Sequence, residues 1–142
     1  MSPPRLLIIH DEAETRARVR RAGERAGLTV VVVERAREAM DRARETRPRI
    51  VVLDAVLDDV DGIELIRQLA DDGFDGTLMI VSDHDPRHGD LAMHFARAKG
   101  LACLGAFPGE ITMDELERRL AAAGAAETPP DLGLAETSGV HS

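Results

Sequence analysis

The chain has 142 residues, which suits one domain and leaves no room for a second of ordinary size. Hydrophobic residues make up 44% of it and aromatic residues only 2%, so the core must be built from aliphatic side chains. The formal net charge of −8 opposes direct binding to nucleic acid and to anionic membrane surfaces, because phosphate groups repel an acidic protein.

Near the amino terminus, the apolar run at residues 6–9 is far too short for the core of a signal peptide or for a membrane span. We therefore expect a cytoplasmic protein. The single cysteine, Cys103, lies in an apolar run and is expected to be a buried thiol.

Short aliphatic runs alternate with amphipathic stretches from the amino terminus onward, as in βα units around a parallel sheet. Taken in chain order, the aliphatic runs predict five strands, at residues 5–9, 28–33, 50–53, 78–81 and 102–107. The stretches that follow them predict helices at residues 11–27, 36–46 and 62–69, then a polar loop at 82–90 leading into a helix that reaches Lys99, and a last helix at 112–120.

Several residues mark the ends of these helices. Gly27 stops the first helix and Pro48 ends the second. Thr112 is the predicted N-cap of the last helix, with Glu115 as its capping-box partner. Residues 1–123 are the predicted domain, and the proline-containing, small and polar segment 124–142 is a predicted disordered tail.

Five βα units predict a doubly wound α/β fold, in which a five-stranded parallel sheet of flavodoxin-like order 2-1-3-4-5 carries helices on both faces. Ligands of such sheets bind beyond the carboxyl ends of the strands. Strands 1, 3 and 4 are neighbours in this order, and each ends in polar residues: His10, Asp11 and Glu12, then Asp54, then Ser82 and Asp83.

Carboxylates gathered at one edge repel each other unless a cation lies among them, and two carboxylates with a carbonyl and waters suit Mg²⁺. Asp11 and Asp54 are therefore the predicted magnesium ligands. Asp54, held against such a cation, could act as a nucleophile on a phosphoryl donor. The hydroxyl of Ser82 could then turn inward to bind the new phosphoryl oxygens.

These residues resemble the receiver domains of bacterial two-component response regulators, over roughly residues 5–120. Residues 6–12 look like the first strand and acidic pair of that family. Residues 48–54, followed by Asp61 and Gly62, look like its phosphoacceptor strand and Asp-Gly turn. The resemblance implies that Asp54 is phosphorylated, that Asp11, Asp54 and the carbonyl of Val56 hold Mg²⁺, and that Ser82 is the switch hydroxyl.

The sequence departs from the family at the lysine that usually ends the fifth strand, before a proline. Matching helix to helix places Gly109 there, and matching the proline places Phe107 there; neither residue is basic. Lys99, the only lysine in the chain, precedes that strand. The lysine contact to a phosphoryl group is therefore expected to be absent, which disfavours both phosphoryl transfer and its product.

Three further family positions are changed. His10 stands where the first acidic residue is expected, and Asp58 where a proline usually follows the phosphoacceptor strand. The aromatic switch position falls on Ala106 or Leu104, neither of which is aromatic.

Two functional hypotheses follow. The first is a stand-alone receiver in a phosphorelay that accepts a phosphoryl group on Asp54 from a sensor histidine kinase or phosphotransfer protein. The second is a pseudo-receiver that binds other proteins without phosphate. In either case the resemblance nominates the fourth helix, fifth strand and fifth helix as the face for a downstream partner or a homodimer. An aspartate-based phosphatase is disfavoured, because Val56 stands where a second carboxylate is needed, so we do not expect an enzyme.

Simpler interpretations exist for each site residue. Asp54 could cap a turn, Asp11 could cap the first helix, and Ser82 could be an ordinary loop serine. The histidines near the carboxylates, His10, His84 and His88, allow a zinc site as a further alternative, although His84 and His88 are expected on a solvated loop and a first helical turn.

Overall fold

A computed structural model describes residues 3–82 and 85–125 of the chain. Its strands are β1 Arg5–Ile9, β2 Thr29–Val33, β3 Ile50–Leu53, β4 Thr77–Ser82 and β5 Ala102–Pro108. Its helices are α1 Ala13–Arg25, α2 Ala39–Thr46, α3 Gly62–Asp71, α4 Pro86–Ala98 and α5 Met113–Ala125, with a 3₁₀ turn at Ala36–Glu38 before α2.

The strands form one parallel sheet in the order β2-β1-β3-β4-β5, which confirms the predicted fold. Ile9, at the end of β1, lies opposite Val33 on one side and Leu53 on the other. Ser82, at the end of β4, lies opposite Pro108 of β5. The carboxyl ends of the three strands with predicted site residues therefore meet at one edge.

The sheet is covered on both faces, because alternate residues of each strand enter different clusters of the core. Leu7 and Ile9 of β1 pack with residues of α2, α3 and α4. Leu6 and Ile8 pack with residues of α1 and α5. Continuous aliphatic runs are what a parallel sheet with two buried faces requires.

Two predicted boundaries are wrong. Helix α4 begins at Pro86, inside the segment 82–90 that was predicted as a loop. The side chain of Asp85 accepts a hydrogen bond from the Arg87 amide (2.9 Å), and Pro86 occupies the first turn, so the polar composition of the segment concealed a normal helix start. Helix α5, predicted to end at Leu120, continues to Ala125, and residues 126–142 of the predicted tail lie outside the described residues.

Other local predictions are confirmed. Gly27 follows α1 with φ +86°, a conformation that glycine adopts without strain. The hydroxyl of Thr112 accepts a hydrogen bond from the Glu115 amide at 3.1 Å, as an N-cap does. Cys103 is buried, and burial raises the pKa of its thiol. No helix within residues 3–82 and 85–125 is long and apolar enough to cross a membrane.

Gly62, the first residue of α3, holds the turn after β3 close to the helix. A Cβ added there would lie 2.4 Å from the carbonyl oxygen of Ala55, a backbone atom that cannot move aside. We expect Gly62→Ala to lower the free energy of unfolding by about 1–3 kcal/mol, measured by urea denaturation. Gly89→Ala is the matched control, because the nearest atom its Cβ would meet is the Ala106 Cβ, at 3.2 Å, while α4 would gain about 0.5–1 kcal/mol of helix preference. Equal losses in the two variants would contradict the steric explanation.

Candidate functional site

Asp54 immediately follows β3 and lies at the carboxyl edge of the sheet. Its amide donates to the carbonyl of Ile9 (3.0 Å), which extends the β1–β3 pairing by one residue. Its Oδ1 accepts a hydrogen bond from the amide of Val56 at 3.2 Å, and Val56 forms an antiparallel bridge with Asp61. The turn after β3 thus folds back over Asp54, whose exposed fraction is 0%.

His10 is also buried, and its two ring nitrogens have defined roles. Nε2 lies 2.8 Å from the carbonyl oxygen of Val81, which only accepts, so Nε2 carries a proton. Nδ1 accepts a hydrogen bond from the amide of Glu12 at 3.2 Å, so Nδ1 carries none. Nε2 of the ring lies 3.6 Å from Oδ2 of Asp54.

Asp11 is half-buried beside the same turn. Its Oδ2 accepts a hydrogen bond from the amide of Asp58 at 2.5 Å, which ties the β1–α1 loop to the β3–α3 turn. The N-cap of α1 is Glu12, so the alternative in which Asp11 caps that helix is wrong. The guanidinium of Arg16 donates to the carbonyls of His10 (2.8 Å) and Asp11 (3.1 Å), which places a cation at the rim of the pocket.

Ser82 is the last residue of β4 and is buried. Strand β4 pairs with β3, with Ile80 opposite Leu53. Ser82 and Asp54 therefore lie at the same edge of the sheet, at the ends of two adjacent strands. The structure thus places Asp11, Asp54 and Ser82 at the ends of β1, β3 and β4, as the strand order predicts. Asp83 and His84 lie outside the described residues.

The donors at this edge are of the type that Mg²⁺ takes. Magnesium is usually held by one or two carboxylates together with waters, so Asp11, Asp54 and the carbonyl of Val56 would be its ligands. The family's other acidic position is occupied by His10, whose two nitrogens are engaged with backbone groups. Within residues 3–82 and 85–125, no group of three or more His, Cys, Asp or Glu side chains is placed to hold a metal ion. His84, one of the three histidines of the zinc alternative, lies outside these residues, so that alternative stays a prediction.

A family model described as the response regulator receiver domain matches residues 6–100. The chain belongs to this family. Response regulator MprA of Mycolicibacterium vanbaalenii is 30% identical over 136 residues, which cover 96% of this chain and 56% of that protein. Response regulator MprA of Mycobacterium avium is 31% identical over 81 residues, 57% of this chain and 36% of that protein. The chain therefore matches 56% of the length of the first relative and 36% of the length of the second.

Solved receiver domains share its fold. A CheY-like response regulator receiver domain protein from Methanospirillum hungatei JF-1 superposes with a TM-score of 0.72 at 16% identity, covering 85% of this chain and 93% of that one. The signal receiver domain of a putative Luxo repressor protein from Vibrio parahaemolyticus gives 0.71 at 18% identity, covering 84% and 88%. At these identities the likeness establishes the architecture alone.

The structure places both candidates for the family's lysine position at the carboxyl end of β5. The strand ends at Pro108, with Phe107 just before that proline and Gly109 just beyond it, and neither candidate is basic. The Phe107 ring is covered by the guanidinium of Arg119, 4.8 Å from the ring centroid. Lys99 caps α4 just before the start of β5, at the opposite edge of the sheet, where its Nζ lies 5.6 Å from the ring centroid of Phe95.

The two candidates for the switch position lie on opposite faces of β5. Leu104 packs against the cluster that includes α1 and α5. Ala106 packs on the α4 side, where it faces Gly89 and, with Ser82, lines a cavity of about 400 Å³. Sequence reasoning missed this cavity, because it arises from two small residues that lie on different elements.

Proposed function

We propose that this receiver domain acts through protein–protein contact, without a phosphoryl group on Asp54. The burial of Asp54 carries the proposal, since its side chain has an exposed fraction of 0%. Phosphoryl transfer requires the attacking oxygen to approach phosphorus in line with the leaving group. While the turn after β3 covers Asp54, a phosphoryl donor cannot reach its carboxylate oxygens in this geometry.

The surroundings of Asp54 support the same proposal. A phosphorylated product would add negative charge to the pocket, and neither Phe107 nor Gly109, the candidates for the family's lysine position at the end of β5, is basic. Arg119, which is a cation near that position, stacks on the ring of Phe107 and pairs with Glu115 (2.6 Å). The guanidinium of Arg119 is therefore already engaged with Phe107 and Glu115.

The carboxylates are also stabilised without a cation. Oδ2 of Asp11 and Oδ1 of Asp54 each accept a hydrogen bond from a backbone amide of the turn after β3, those of Asp58 and Val56. The ring of His10, which contacts Asp54, also bonds the carbonyl of Val81 near the end of β4. We infer that these hydrogen bonds give the pocket a structural role, which is to hold the turn after β3 in place.

The second candidate is a phospho-accepting receiver, and the common edge of Asp11, Asp54 and Ser82 favours it. Here Mg²⁺ would be held by Asp11, Asp54 and the Val56 carbonyl, and an oxygen of Asp54 would attack the phosphorus of a donor while the donor's leaving group departs. The turn after β3 would first have to open. A sensor histidine kinase or phosphotransfer protein is the partner that this candidate requires.

A small acyl phosphate with Mg²⁺ separates the two candidates, and intact-mass spectrometry after an acid quench is the readout. We expect no phosphoryl adduct on the wild-type chain under conditions that label a receiver domain with the family lysine. Asp54→Asn is the matched control. An adduct that forms on wild type and is absent from Asp54→Asn would overturn the phosphate-independent proposal and support the second candidate.

Both candidates need a surface that contacts other proteins. The face of α4, β5 and α5 remains the proposal that the family resemblance nominates for a downstream partner or a homodimer. Cytoplasmic localisation and the absence of enzymatic activity likewise remain predictions.

A further inference from the structure

A groove beside the Asp54 pocket exposes two large apolar side chains. Val56 is 36% exposed and Leu91 is 62% exposed, and within residues 3–82 and 85–125 these are the large hydrophobic side chains with substantial exposure. Both line one groove of about 420 Å³ between the turn after β3 and α4. Leu57 and Ile63 complete its apolar wall.

Single exposed apolar residues are common on protein surfaces, but two that share a groove mark an interaction site. The exposure of Val56 is fixed by the fold, because its amide bonds Oδ1 of Asp54 and its backbone bridges to Asp61. Leu91 stands on the outer side of α4, whose inner side packs Ala92 and Ala96 into the core.

The rim of the groove is acidic. Asp61 lines it, and residues 58–61 contain three aspartates, all of them exposed. On the α4 side the groove is lined by His88, while the exposed Asp90 lines the neighbouring cavity beside β5. The nearby guanidinium of Arg87 is paired with the carboxylate of Asp85 (Nε to Oδ2, 3.0 Å) and so does not offset this charge.

We propose that this Val56–Leu91 groove docks a partner segment that carries an apolar anchor side chain flanked by arginine or lysine. The anchor fills the apolar wall between Val56 and Leu91, and the flanking cations pair with the acidic rim. The inference rests on the proposed phosphate-independent function and names the class of partner. Because the amide of Val56 donates to Asp54, a segment that binds in this groove would also contact the turn that covers the Asp54 pocket.

A display library of random fifteen-residue peptides tests the groove. The full chain is the selection target, and Leu91→Asp serves for counter-selection. We expect enriched peptides with an apolar residue between basic ones, and affinity at least about tenfold weaker for Leu91→Asp, since the new carboxylate enters the apolar wall. Ala98→Asp is the matched control, because it places the same charge on an exposed residue of α4 two turns away and should leave affinity unchanged.

Raising the salt concentration from about 0.05 to 0.5 M should weaken binding of the same peptides, because the Debye length falls to a few ångströms. Far-ultraviolet circular dichroism checks that each variant is folded, and Leu91→Gln replaces Leu91→Asp if the charged variant is not.

Three results would overturn the inference: no enrichment over the counter-selected variant, enrichment of acidic peptides, or a dimer of the full chain that Leu91→Asp abolishes in sedimentation. The last would make a second copy the occupant. The acyl phosphate assay does not involve the groove, so the failure of one proposal is distinguishable from the failure of the other.

Discussion

His10→Asp is expected to lower the free energy of unfolding of this receiver domain by about 3–5 kcal/mol in the absence of divalent cations. The imidazole bonds the carbonyl of Val81 and the amide of Glu12, and its loss leaves the buried carbonyl unsatisfied, which alone costs about 1–3 kcal/mol. The new carboxylate would also lie beside the buried carboxylate of Asp54, which His10 now contacts at 3.6 Å.

The same substitution restores the acidic pair of the family and should create a magnesium requirement. With Asp11 and Asp54 it would gather three carboxylates, and a cation that binds only the folded state stabilises it by about 2.7 kcal/mol when present at a hundred times its Kd. Urea unfolding with and without Mg²⁺ measures this, with NaCl matched for ionic strength. We expect the wild-type curve to change little and the His10→Asp curve to move to higher urea.

The double variant His10→Asp/Asp54→Asn is the control for charge repulsion. It should recover part of the stability lost in the absence of Mg²⁺, because it removes one of the two adjacent charges, and it should lose most of the magnesium response. A His10→Asp variant as stable as wild type, or unaffected by Mg²⁺, would show that His10 does not close this pocket.

The fold could be predicted because its signals are local. The β-branched run of β2 indicates a strand without reference to any other residue, and Gly27 and Thr112 mark helix ends by their own backbone preferences. The strand order then followed from general rules for parallel sheets. The start of α4 was missed although Asp85 and Pro86 are ordinary start signals, because the polar residues around them resemble a loop.

The convergence of Asp11, Asp54 and Ser82 could be predicted from the strand order, but the state of the pocket could not. The ring of His10 bonds the carbonyl of Val81, 71 residues away in the sequence, and the carboxylate of Asp11 accepts from the amide of Asp58, 47 residues away. The substitution of a histidine for an acidic residue is visible in the sequence, whereas its effect depends on what surrounds the ring. The groove was missed for the same reason, since Val56 and Leu91 lie on separate elements.

The pocket and the groove share one structural element, the turn after β3. On its inner side its amides hold Asp54 and Asp11, and on its outer side it presents Val56. In a phospho-accepting receiver a new phosphoryl group would rearrange such a turn from within. In this chain, a partner that binds Val56 would act on the same turn from its outer side. Partner binding could then change the conformation of the turn without a phosphoryl group on Asp54.

Leu116→Ala is expected to lower the free energy of unfolding by about 2–5 kcal/mol, because the side chain is 0% exposed and packs in the core beneath α5. The identical substitution at Leu91, which is 62% exposed, should change it by no more than about 0.5 kcal/mol. Chemical denaturation of both variants measures the difference. A large loss in Leu91→Ala would mean that Leu91 serves the fold and would remove it from the groove's binding surface. If the loss is confined to Leu116→Ala, the leucine at position 91 contributes little to folding, and its exposed apolar surface is available for a partner.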